Sequence, residues 1–545
     1  MLLTRDGIKD IDKWRHAGIK LPNYDVEKVA EKTKQNPTWL HFGAGNIFRG
    51  FIALLQQNLL DKGLSKTGII AVESYDYEII EKIYVPYDNL SLLVIMHADG
   101  TLEVEVIGSI SDKILADPLR EDWVKLKNIF ANPSLQIVSF TITEKAYNLK
   151  DFSGEYIKEV KEDIENGPEK PHGLMAKIVS LIYTRYLKGQ YPIALLSLDN
   201  FSGNGERLFS SIKTITEEWV KKGFIEGKFL DYLTNPAKVS FPLSMIDKIV
   251  PRPSEEIKKK LEDLGIEKMD IIKTGKNTII APFVNAEKIH YLVIEDKFPN
   301  GRPPLEEAGV IFTDKETVEK VERMKVTTCL NPLHTTLAIF GCLLNYNTIA
   351  DEMRDPCLKK LVEKIGYEEG LPVVVHPGVL DPKEFLREVI EVRFSNPYMP
   401  DTPQRIATDT SQKMAIRFGE TIKSYKQRED LNVTDLKYIP FVIAGWCRYL
   451  MGVDDEGKAM TLSPDPLLED LKSHVSKIKL GDVDSIQDNL KPILSNEHIF
   501  GLNLYEVGLG EKIENYFKEL IIGPGAVRRT LEKYLENVNI YRKNY

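Results

Sequence analysis

Apolar residues in the first 300 positions form short continuous runs, and longer amphipathic stretches separate these runs. Runs of this kind, bounded by glycine or polar residues, are typical of strands that are buried on both faces. The predicted strands are 38–42, 68–72, 135–142 and 193–198, and the predicted helices are 51–61, 115–131 and 172–187. Strands that alternate with helices predict an α/β fold with a mostly parallel, doubly wound sheet.

Other parts of the chain show different patterns. Residues 91–96 and 102–107 predict an antiparallel hairpin that leaves the sheet, and residues 291–298 are predicted as the last strand. A proline- and glycine-rich segment, 299–304, follows as a linker. The predicted helices beyond it are 335–344, 356–364, 382–394, 405–423, 438–451, 467–477, 509–520 and 526–537. We therefore predict two domains, 1–300 with the sheet and a mainly α-helical domain at 301–545.

Composition narrows the class of protein. The 545 residues are 43% hydrophobic and 28% charged, as in soluble globular proteins, and the net charge of −9 argues against nucleic acid or anionic membranes as partners. The four cysteines and nine histidines lack the spacing of zinc sites, so we expect reduced thiols and no metal. A charged N-terminus argues against a signal peptide, and the apolar run 438–453 is too short to span a membrane. A cytoplasmic location is expected.

A glycine-rich turn follows the first predicted strand. Backbone N–H groups at the start of a helix after such a turn can receive a pyrophosphate, as in a Rossmann-type domain. Phe48 stands where a third glycine is usual, so a plain tight turn is an equal alternative. At the end of the second strand, Glu73 could hold both ribose hydroxyls of NAD, or it could be a solvated strand-end charge. The candidate cofactor-binding residues of these two segments are Gly43, Gly45, Asn46, Ile47, Phe48, Arg49 and Glu73.

Further polar residues stand at the ends of the next strands. Thr143 and Glu144 follow one predicted strand, and Asp199 and Asn200 follow another. Ligands of doubly wound sheets bind beyond the carboxyl ends of the strands, so these residues are candidates for the site, although each alone could cap a loop. Asp247 lies in an apolar segment and needs a partner, which could be a neighbouring lysine or a sugar hydroxyl.

A second group of candidates opens the helical half. Lys325, Asn331 and His334 lie within ten residues in an apolar neighbourhood. A lysine with a lowered pKa can exchange a proton, while an amide N–H and an imidazole N–H can stabilise a developing alkoxide. The alternative is a helix start with Asn331 as N-cap, Pro332 in the first turn and His334 in the core.

Several ordered blocks of the chain resemble the mannitol dehydrogenase family, the polyol-specific long-chain dehydrogenases. The blocks are H-F-G-A-G-N-I-F-R-G at 41–50, T-I-T-E-K-A-Y-N at 141–148, S-L-D-N-F-S-G-N-G-E at 197–206, S-F-P-L-S-M-I-D-K-I-V-P at 240–251, V-I-E-D-K-F-P-N-G-R-P-P-L at 293–305, M-K-V-T-T-C-L-N-P-L-H at 324–334 and R-F-S-N-P at 393–397. The resemblance implies a metal-independent NAD(P) enzyme that interconverts a secondary alcohol and a ketone on sugar alcohols or sugar acids.

The resemblance also implies roles for individual residues. Lys325 is expected to be the general acid/base, Asn200 and Asn331 the oxyanion hole, and His334 the residue that orients the substrate. Asp247 matches an aspartate near the nicotinamide ribose, and Glu144 matches a glutamate near the proton path. The substrate-binding candidates of the R-F-S-N-P block are Arg393 and Asn396. Arg393 could bind a substrate carboxylate bidentately, or it could pair with Glu391 or Asp401.

Within the family, the N-P-L-H form and the long chain are similar to the members that reduce fructuronate. We therefore expect NAD-dependent, reversible reduction of D-fructuronate to D-mannonate, with tagaturonate reduction and mannitol 2-dehydrogenation as alternatives. A catalytically silent NAD(H)-binding sensor is a more remote alternative. The expected partner is a small sugar acid or polyol, and the expected assembly is a monomer or a small homo-oligomer.

The chain departs from the family pattern in three places. Leu243 and Lys248 replace an asparagine and an arginine, N-P-L-H replaces N-G-S-H or N-G-G-H, and one extra residue separates Lys325 from Asn331. In an unbroken helix these two residues would be about 240° apart around the axis. We therefore predict a wide turn or break, such as a π-bulge, at about 327–332 that returns Lys325 towards Asn331. The alternative is an extended segment at 326–330.

Overall fold

The computed structural model describes residues 1–151, 153–399 and 401–535, and the chain divides into two compact units, Met1–Val318 and Glu319–Tyr545. The boundary predicted at 300/301 falls before the boundary between these units. One reason is the strand Ile311–Thr313, which pairs in parallel with Tyr291–Glu295 inside the first unit. The prediction that 291–298 holds the last strand is therefore wrong.

The first unit contains a six-stranded sheet in which all neighbouring strands are parallel. In spatial order its strands are Ile110–Leu115, Ile69–Glu73, Trp39–Phe42, Ile137–Phe140, Ile193–Ser197 and Val239–Ser240. Numbered along the chain, this order is 3-2-1-4-5-6, which is the Rossmann arrangement. The order reverses between Trp39–Phe42 and Ile137–Phe140, where ligands of this fold bind.

Apolar cores cover the sheet, which explains the continuous apolar runs in its strands. One cluster includes Trp123, Ile178 and Trp219, and the other includes Phe48 and Tyr84. The doubly wound fold predicted from the sequence is confirmed. The α-helices that begin in this unit are Ile11–His16, Val26–Gln35, Ala53–Asp61, Glu121–Ala131, Lys158–Asn166, Leu174–Gly189, Asn204–Lys221, Lys228–Thr234, Glu255–Asp263 and Lys315–Met324.

Smaller sheets complete the first unit. The predicted hairpin is confirmed as Ser91–Met96 and Leu102–Ile107, which pair antiparallel. The predicted helix 115–131 begins only at Glu121, because Leu115 ends the strand Ile110–Leu115 and residues 116–120 form the turn that follows it. The remaining strands are Ile19–Lys20 and Phe283–Ala286 beside the hairpin, Ser244–Asp247 beside Tyr291–Glu295, and the pair Ile272–Lys273 and Ile279–Ile280.

The second unit is mainly helical, as predicted. Its α-helices are Asn331–Leu343, Ile349–Glu352, Pro356–Glu363, Pro382–Glu388, Pro403–Ile406, Glu420–Gln427, Tyr438–Leu450, Leu468–Val475, Lys491–Leu494, Glu497–Phe500, Gly510–Leu520 and Ala526–Leu535. The single helix predicted at 405–423 is wrong, because Asp409 takes a left-handed φ of 53° and interrupts it. The predicted end of the last helix, at 537, lies outside the described residues.

Short irregular helices are frequent in both units. The 3₁₀-helices are Gly7–Lys9, Glu144–Tyr147, Leu305–Ala308, Leu371–Val373, Thr410–Gln412, Val433–Asp435 and Val483–Ile486. The π-helices are Phe48–Ile52, Ile80–Tyr84, Lys325–Cys329, Lys364–Gly370, Val389–Arg393 and Ala415–Gly419. Lys325–Cys329 packs against both Lys364–Gly370 and Ala415–Gly419. Since π-turns are rare and concentrate at functional sites, this cluster is a candidate functional region.

One stretch, Lys315–Leu343, is long and apolar enough by composition to cross a membrane. In the most apolar window of this stretch, 78% of the residues are buried inside the protein. Core helices of globular proteins have the same length and composition, and burial of this extent is what they show.

Candidate active site

The glycine-rich turn lies at the point where the strand order reverses. Gly43 has a φ of 102°, and a Cβ at this position would overlap the backbone oxygen of Thr141, so only glycine fits here. Gly45 differs, because a Cβ there would meet open space. The first glycine is thus required by the fold, while the second leaves the backbone open to a ligand.

The helix that follows the turn uses its side chains internally. Phe48 is buried and stacks on His41, with ring centroids 4.3 Å apart. Arg49 is also buried, and its guanidinium donates to the backbone oxygen of Ala281 at 2.7 Å and to Oδ1 of Asn46 at 2.8 Å. These contacts leave the backbone of Phe48 and Arg49 for a cofactor. Cofactor binding by the two residues stays a prediction.

Glu73 ends the strand next to the glycine turn and is only 5% exposed. Its Oε2 accepts a hydrogen bond from the N–H of Ala44 at 3.0 Å, and its Oε1 accepts from the N–H groups of Ser74 and Tyr75 at 2.9 Å. Burial raises the pKa of Glu73, and these hydrogen bonds oppose that rise. The alternative of a solvated strand-end charge is wrong, and the role in ribose binding stays a prediction.

The polar residues at the next strand ends do converge. Asp199 accepts hydrogen bonds from the N–H groups of Ile142 at 3.0 Å and Thr143 at 3.0 Å, and from the Tyr147 hydroxyl at 2.6 Å. Burial raises the pKa of Asp199, and the Tyr147 hydrogen bond opposes this. Thr143 has a φ of 71°, which is costly for a β-branched residue. Asp199 thus holds a strained turn in place, while Glu144 beside it is exposed.

A cavity of 200 Å³ opens at these strand ends. It is lined by Ile47, Thr141, Leu198, Asp199, Asn200, Ile246 and Lys248. Asn200 is exposed, whereas Asp247 is buried at the end of its strand, opposite Tyr291. We call the residues Gly43, Gly45, Glu73, Thr143, Asp199 and Asn200 the strand-end site.

Asn204 is a positioning residue of this site that was not predicted from the sequence. Asn204 is fully buried, and its Nδ2 donates to the backbone oxygens of Asp199 at 3.0 Å and Ser244 at 2.9 Å. Its Oδ1 accepts from the N–H of Ser244 at 3.2 Å. It therefore ties the strand end that carries Asn200 to the strand that carries Asp247. Its place between two glycines in the S-L-D-N-F-S-G-N-G-E block was the available signal.

In the second unit, the predicted wide turn is present. The π-helix Lys325–Cys329 is closed by a hydrogen bond from the N–H of Leu330 to the backbone oxygen of Lys325, at 3.1 Å. This i→i+5 turn accommodates one more residue than an α-turn, which matches the extra residue before Asn331. The turn begins two residues earlier than predicted, and the extended alternative for 326–330 is wrong. Lys325 is 3% exposed.

The helix Asn331–Leu343 presents two side chains and buries the rest. Of its 13 residues, Asn331 and His334 are the two that are not buried. Residues three apart lie on one face of a helix, so both side chains share that face. The N-cap is Leu330, without a side-chain hydrogen bond, so the alternative in which Asn331 serves as N-cap is wrong.

His334 is held by a carboxylate and a ring. Its Nε2 lies 3.0 Å from Oδ2 of Asp401, a close contact that does not meet hydrogen-bond geometry. The ring of Phe394 lies 5.0 Å from the imidazole, centroid to centroid. Burial lowers the pKa of His334, and Asp401 opposes this. Asp401 also binds Arg405, whose Nε donates to it at 2.8 Å. We call Lys325, Asn331, His334 and Asp401 the helical site.

The R-F-S-N-P block lies in the same unit. Arg393 is 5% exposed and ends the π-helix Val389–Arg393. Glu391, one of its possible ion-pair partners, lies 3.3 Å from Arg387. Oδ1 of Asn396 accepts a hydrogen bond from the N–H of Tyr398 at 3.0 Å, so this amide shapes the local turn. Substrate binding by Arg393 and Asn396 stays a prediction.

The four cysteines are buried free thiols, as predicted. Burial raises the pKa of Cys329, Cys342 and Cys447 to about 12, so these thiols are unreactive near neutral pH. Among the residues that the structure describes, no group of three or more histidine, cysteine or acidic side chains is placed to hold a metal ion.

The parallel sheet order, the glycine turn at the reversal point and the polar strand ends define a dinucleotide-binding oxidoreductase. The family descriptions "Mannitol dehydrogenase Rossmann domain" and "Mannitol dehydrogenase C-terminal domain" match residues 37–307 and 317–521. The chain belongs to the mannitol dehydrogenase family and is an oxidoreductase. The family membership expected from the sequence blocks is confirmed.

The chain is similar to several named proteins along nearly its whole length. It is 61% identical to the D-mannonate oxidoreductase of Thermotoga maritima over 535 residues, and this aligned region covers 98% of this chain and 99% of that protein. It is 30% identical over 500 residues to the polyol:NADP oxidoreductase of Gluconobacter oxydans, covering 90% and 92%. The structure of Pseudomonas fluorescens mannitol 2-dehydrogenase in a ternary complex with NAD and D-mannitol is 27% identical, with a TM-score of 0.69 and coverage of 98% and 100%.

Proposed function

We propose that this protein is an NAD-dependent dehydrogenase that interconverts D-fructuronate and D-mannonate. The observation that carries the proposal is the 61% identity to a D-mannonate oxidoreductase, which extends over 98% of the chain. Lys325, Asn331 and His334 are all present, and the structure holds the last two on one helix face. NAD use is supported by the Rossmann domain and by the NAD-bound relative.

The first unit has the features that NAD binding requires. Gly45 leaves open space beside the turn, and the helix that begins after it supplies N–H groups for a pyrophosphate. Glu73 stands at the strand end where an acidic residue meets the adenosine ribose in this fold. When bound, NAD supplies or accepts the hydride of the reaction.

In the second unit, Lys325 is assigned the proton transfer. As an ammonium it protonates the alkoxide that forms during reduction, and as a neutral amine it takes the proton back during oxidation. Lys325 is buried, at 3% exposure, so it would exchange this proton away from bulk solvent. Asn331 and Asn200 are proposed to donate to the alkoxide, and His334 to orient the substrate, with Asp401 fixing its imidazole.

Two other family reactions and one other class remain as alternatives. Tagaturonate reduction and mannitol 2-dehydrogenation use the same chemistry on other substrates. A silent NAD(H)-binding sensor would keep the fold without turnover. The intact set of Lys325, Asn331 and His334 favours an enzyme over the sensor, because a sensor has no need of a proton-transfer group.

A substrate panel tests the proposal. Fructuronate, tagaturonate and fructose would be offered with NADH, and mannonate and mannitol with NAD⁺, while absorbance at the nicotinamide band is followed. We expect the highest kcat/KM for fructuronate, with mannonate as the best substrate in the reverse direction. Higher kcat/KM for tagaturonate or fructose would select that alternative. NADH binding without turnover on any member would favour the sensor.

A further inference from the structure

Arg417 is a half-buried cation in the second unit. It lies in the π-helix Ala415–Gly419, and its Nη1 donates a hydrogen bond to Oγ1 of Thr335. Within the described part of the chain, no carboxylate lies within ion-pair distance of this guanidinium, which sets it apart from Arg405 and Arg528. Burial alone lowers the pKa of Arg417 to about 10. Among the described residues, this partly desolvated positive charge thus has no ion-pair partner.

A second cation lies close by. Lys413 stands one helical turn before Arg417 and donates from its Nζ to the backbone oxygen of Thr408. Burial lowers the pKa of Lys413, and the charge of Arg417 lowers it further. Asp409 and Asp465 oppose this shift, yet neither forms an ion pair with Lys413 among the described residues. Asp465 instead accepts hydrogen bonds from the backbone N–H and the hydroxyl of Ser411.

Like charges held together in a partly desolvated place are unfavourable unless an anion joins them. The carboxylate of the helical site, Asp401, already contacts His334 and Arg405. A ligand can supply the anion that Asp401 does not.

The cation pair lies beside the helical site. Thr335, which accepts the hydrogen bond from Arg417, directly follows His334 in the chain, and its own Oγ1 donates to the backbone oxygen of Asn331 at 3.0 Å. The positive charge of Arg417 lowers the pKa of the His334 imidazole. The π-helix of Arg417 also packs against the π-helix of Lys325. An anion bound at Arg417 would thus be close to the residues assigned to the chemistry.

We propose that Arg417, with Lys413 as a second cation, binds the carboxylate of a sugar-acid substrate and selects sugar acids over neutral polyols. A guanidinium presents two parallel N–H groups that match the two oxygens of a carboxylate. This proposal rests on the proposed function for the substrate class. It assigns to Arg417 the role for which the sequence suggested Arg393.

The test compares a sugar acid with its neutral carboxamide, which has nearly the same shape. In the wild-type enzyme, kcat/KM for fructuronate should exceed that for the fructuronate carboxamide by roughly 10- to 100-fold, the usual range for a charge-assisted contact. Arg417→Gln should abolish this preference through KM for the acid, with NADH affinity retained. Arg417→Lys should restore part of it. Arg354→Gln, which removes an exposed arginine paired with Asp351, is the matched control and should change nothing.

The outcomes separate the two proposals. If the wild type prefers tagaturonate to fructuronate, the proposed reaction falls, but the carboxylate test proceeds on that acid and its carboxamide. If the wild type treats acid and carboxamide alike, the role of Arg417 is overturned without any variant. If Arg417→Gln weakens both substrates equally, or if Arg393→Gln alone removes the acid preference, Arg417 has only a structural role. If Arg417→Gln does not fold, the preference for the acid over the carboxamide is measured in Arg417→Lys instead, and an unchanged preference there overturns the role of Arg417.

Discussion

The strand-end site and the helical site are built in opposite ways. In the strand-end site, acidic side chains hold the backbone in place. Glu73 is buried and Asp199 is half-buried, and both accept hydrogen bonds from main-chain N–H groups. In the helical site, irregular backbone holds side chains: a π-turn places Lys325, and a helix that buries its other residues presents Asn331 and His334.

The difference reflects what each site has to recognise. A dinucleotide offers phosphates and ribose hydroxyls that are the same in every reaction, and a shaped backbone meets them well. A sugar substrate needs a proton exchanged and its hydroxyls oriented, which only side chains can do. We therefore expect substitutions in the helical site, and of Asn200, to affect turnover, and substitutions of the other strand-end residues to affect stability and cofactor binding.

The largest expected effect is the loss of turnover in Lys325→Ala. Removal of a general acid/base should lower kcat by about 10²- to 10⁴-fold while NADH affinity stays unchanged. Lys383→Ala, which removes an exposed lysine of the same unit, is the control and should leave kcat and NADH affinity unchanged. Initial rates and NADH fluorescence titrations measure the two quantities. A decrease of only a few-fold would show that another group transfers the proton.

The two glycines of the turn provide the next test, on the stability side of the comparison. Gly43→Ala should destabilise the protein by roughly 2–4 kcal/mol, because it adds backbone strain at φ 102° and a clash with Thr141. Gly45→Ala should leave stability nearly unchanged and weaken NADH binding, because its methyl group occupies the open space beside the turn. Urea unfolding measures the stability of both variants, and NADH titration measures their cofactor affinity. Equal stability of the two variants would contradict the structural role of Gly43.

Acid should weaken the first unit through His41. Burial lowers the pKa of His41 to about 3, while Ser139 and Thr141 hydrogen-bond its ring nitrogens at 2.7 and 2.8 Å. The unfolded chain takes up a proton below about pH 6.5 and the folded chain does not, so stability is lost as pH falls from there towards 3. Between pH 7 and 5 this amounts to about 2 kcal/mol.

The His41 contribution can be isolated by substitution. In His41→Asn, the free energy of unfolding should fall less between pH 7 and 5 than in the wild type, whatever the variant's absolute stability. His16→Asn, at an exposed position, should keep the wild-type pH dependence. If the His41 variant also keeps it, the imidazole is protonated in the folded protein.

The smallest expected effect concerns cofactor choice. Glu73→Gln keeps the size of the side chain and removes the charge that repels a 2′-phosphate, so the preference for NADH over NADPH should narrow by about tenfold. The ratio of kcat/KM for the two cofactors is the readout, because the absolute values also reflect the lost hydrogen bonds. Glu81→Gln, an exposed neighbour, serves as control. A wild type that uses NADPH as well as NADH would refute the role of Glu73.

Much of the first unit could be predicted because its signals are local. Continuous apolar runs specify strands buried on both faces, and alternation with helices specifies a parallel sheet. The strand Ile110–Leu115 was missed because its polar residues, Ser111, Asp112 and Lys113, interrupt the run. The break at Asp409 was missed because a left-handed φ at a single aspartate leaves no periodic signal.

The sequence alone determined the sheet, the glycine turn, the family blocks and the existence of a wide turn before Asn331, since each depends on residue type, order and spacing along the chain. Only the tertiary structure decided how the charges are used. Glu73 and Asp199 accept hydrogen bonds from the backbone, and Asp401 contacts His334. Arg417 has no carboxylate partner within the part of the chain that the structure describes. Partners of this kind are far apart in sequence, and burial, which sets their energies, is a property of the folded chain.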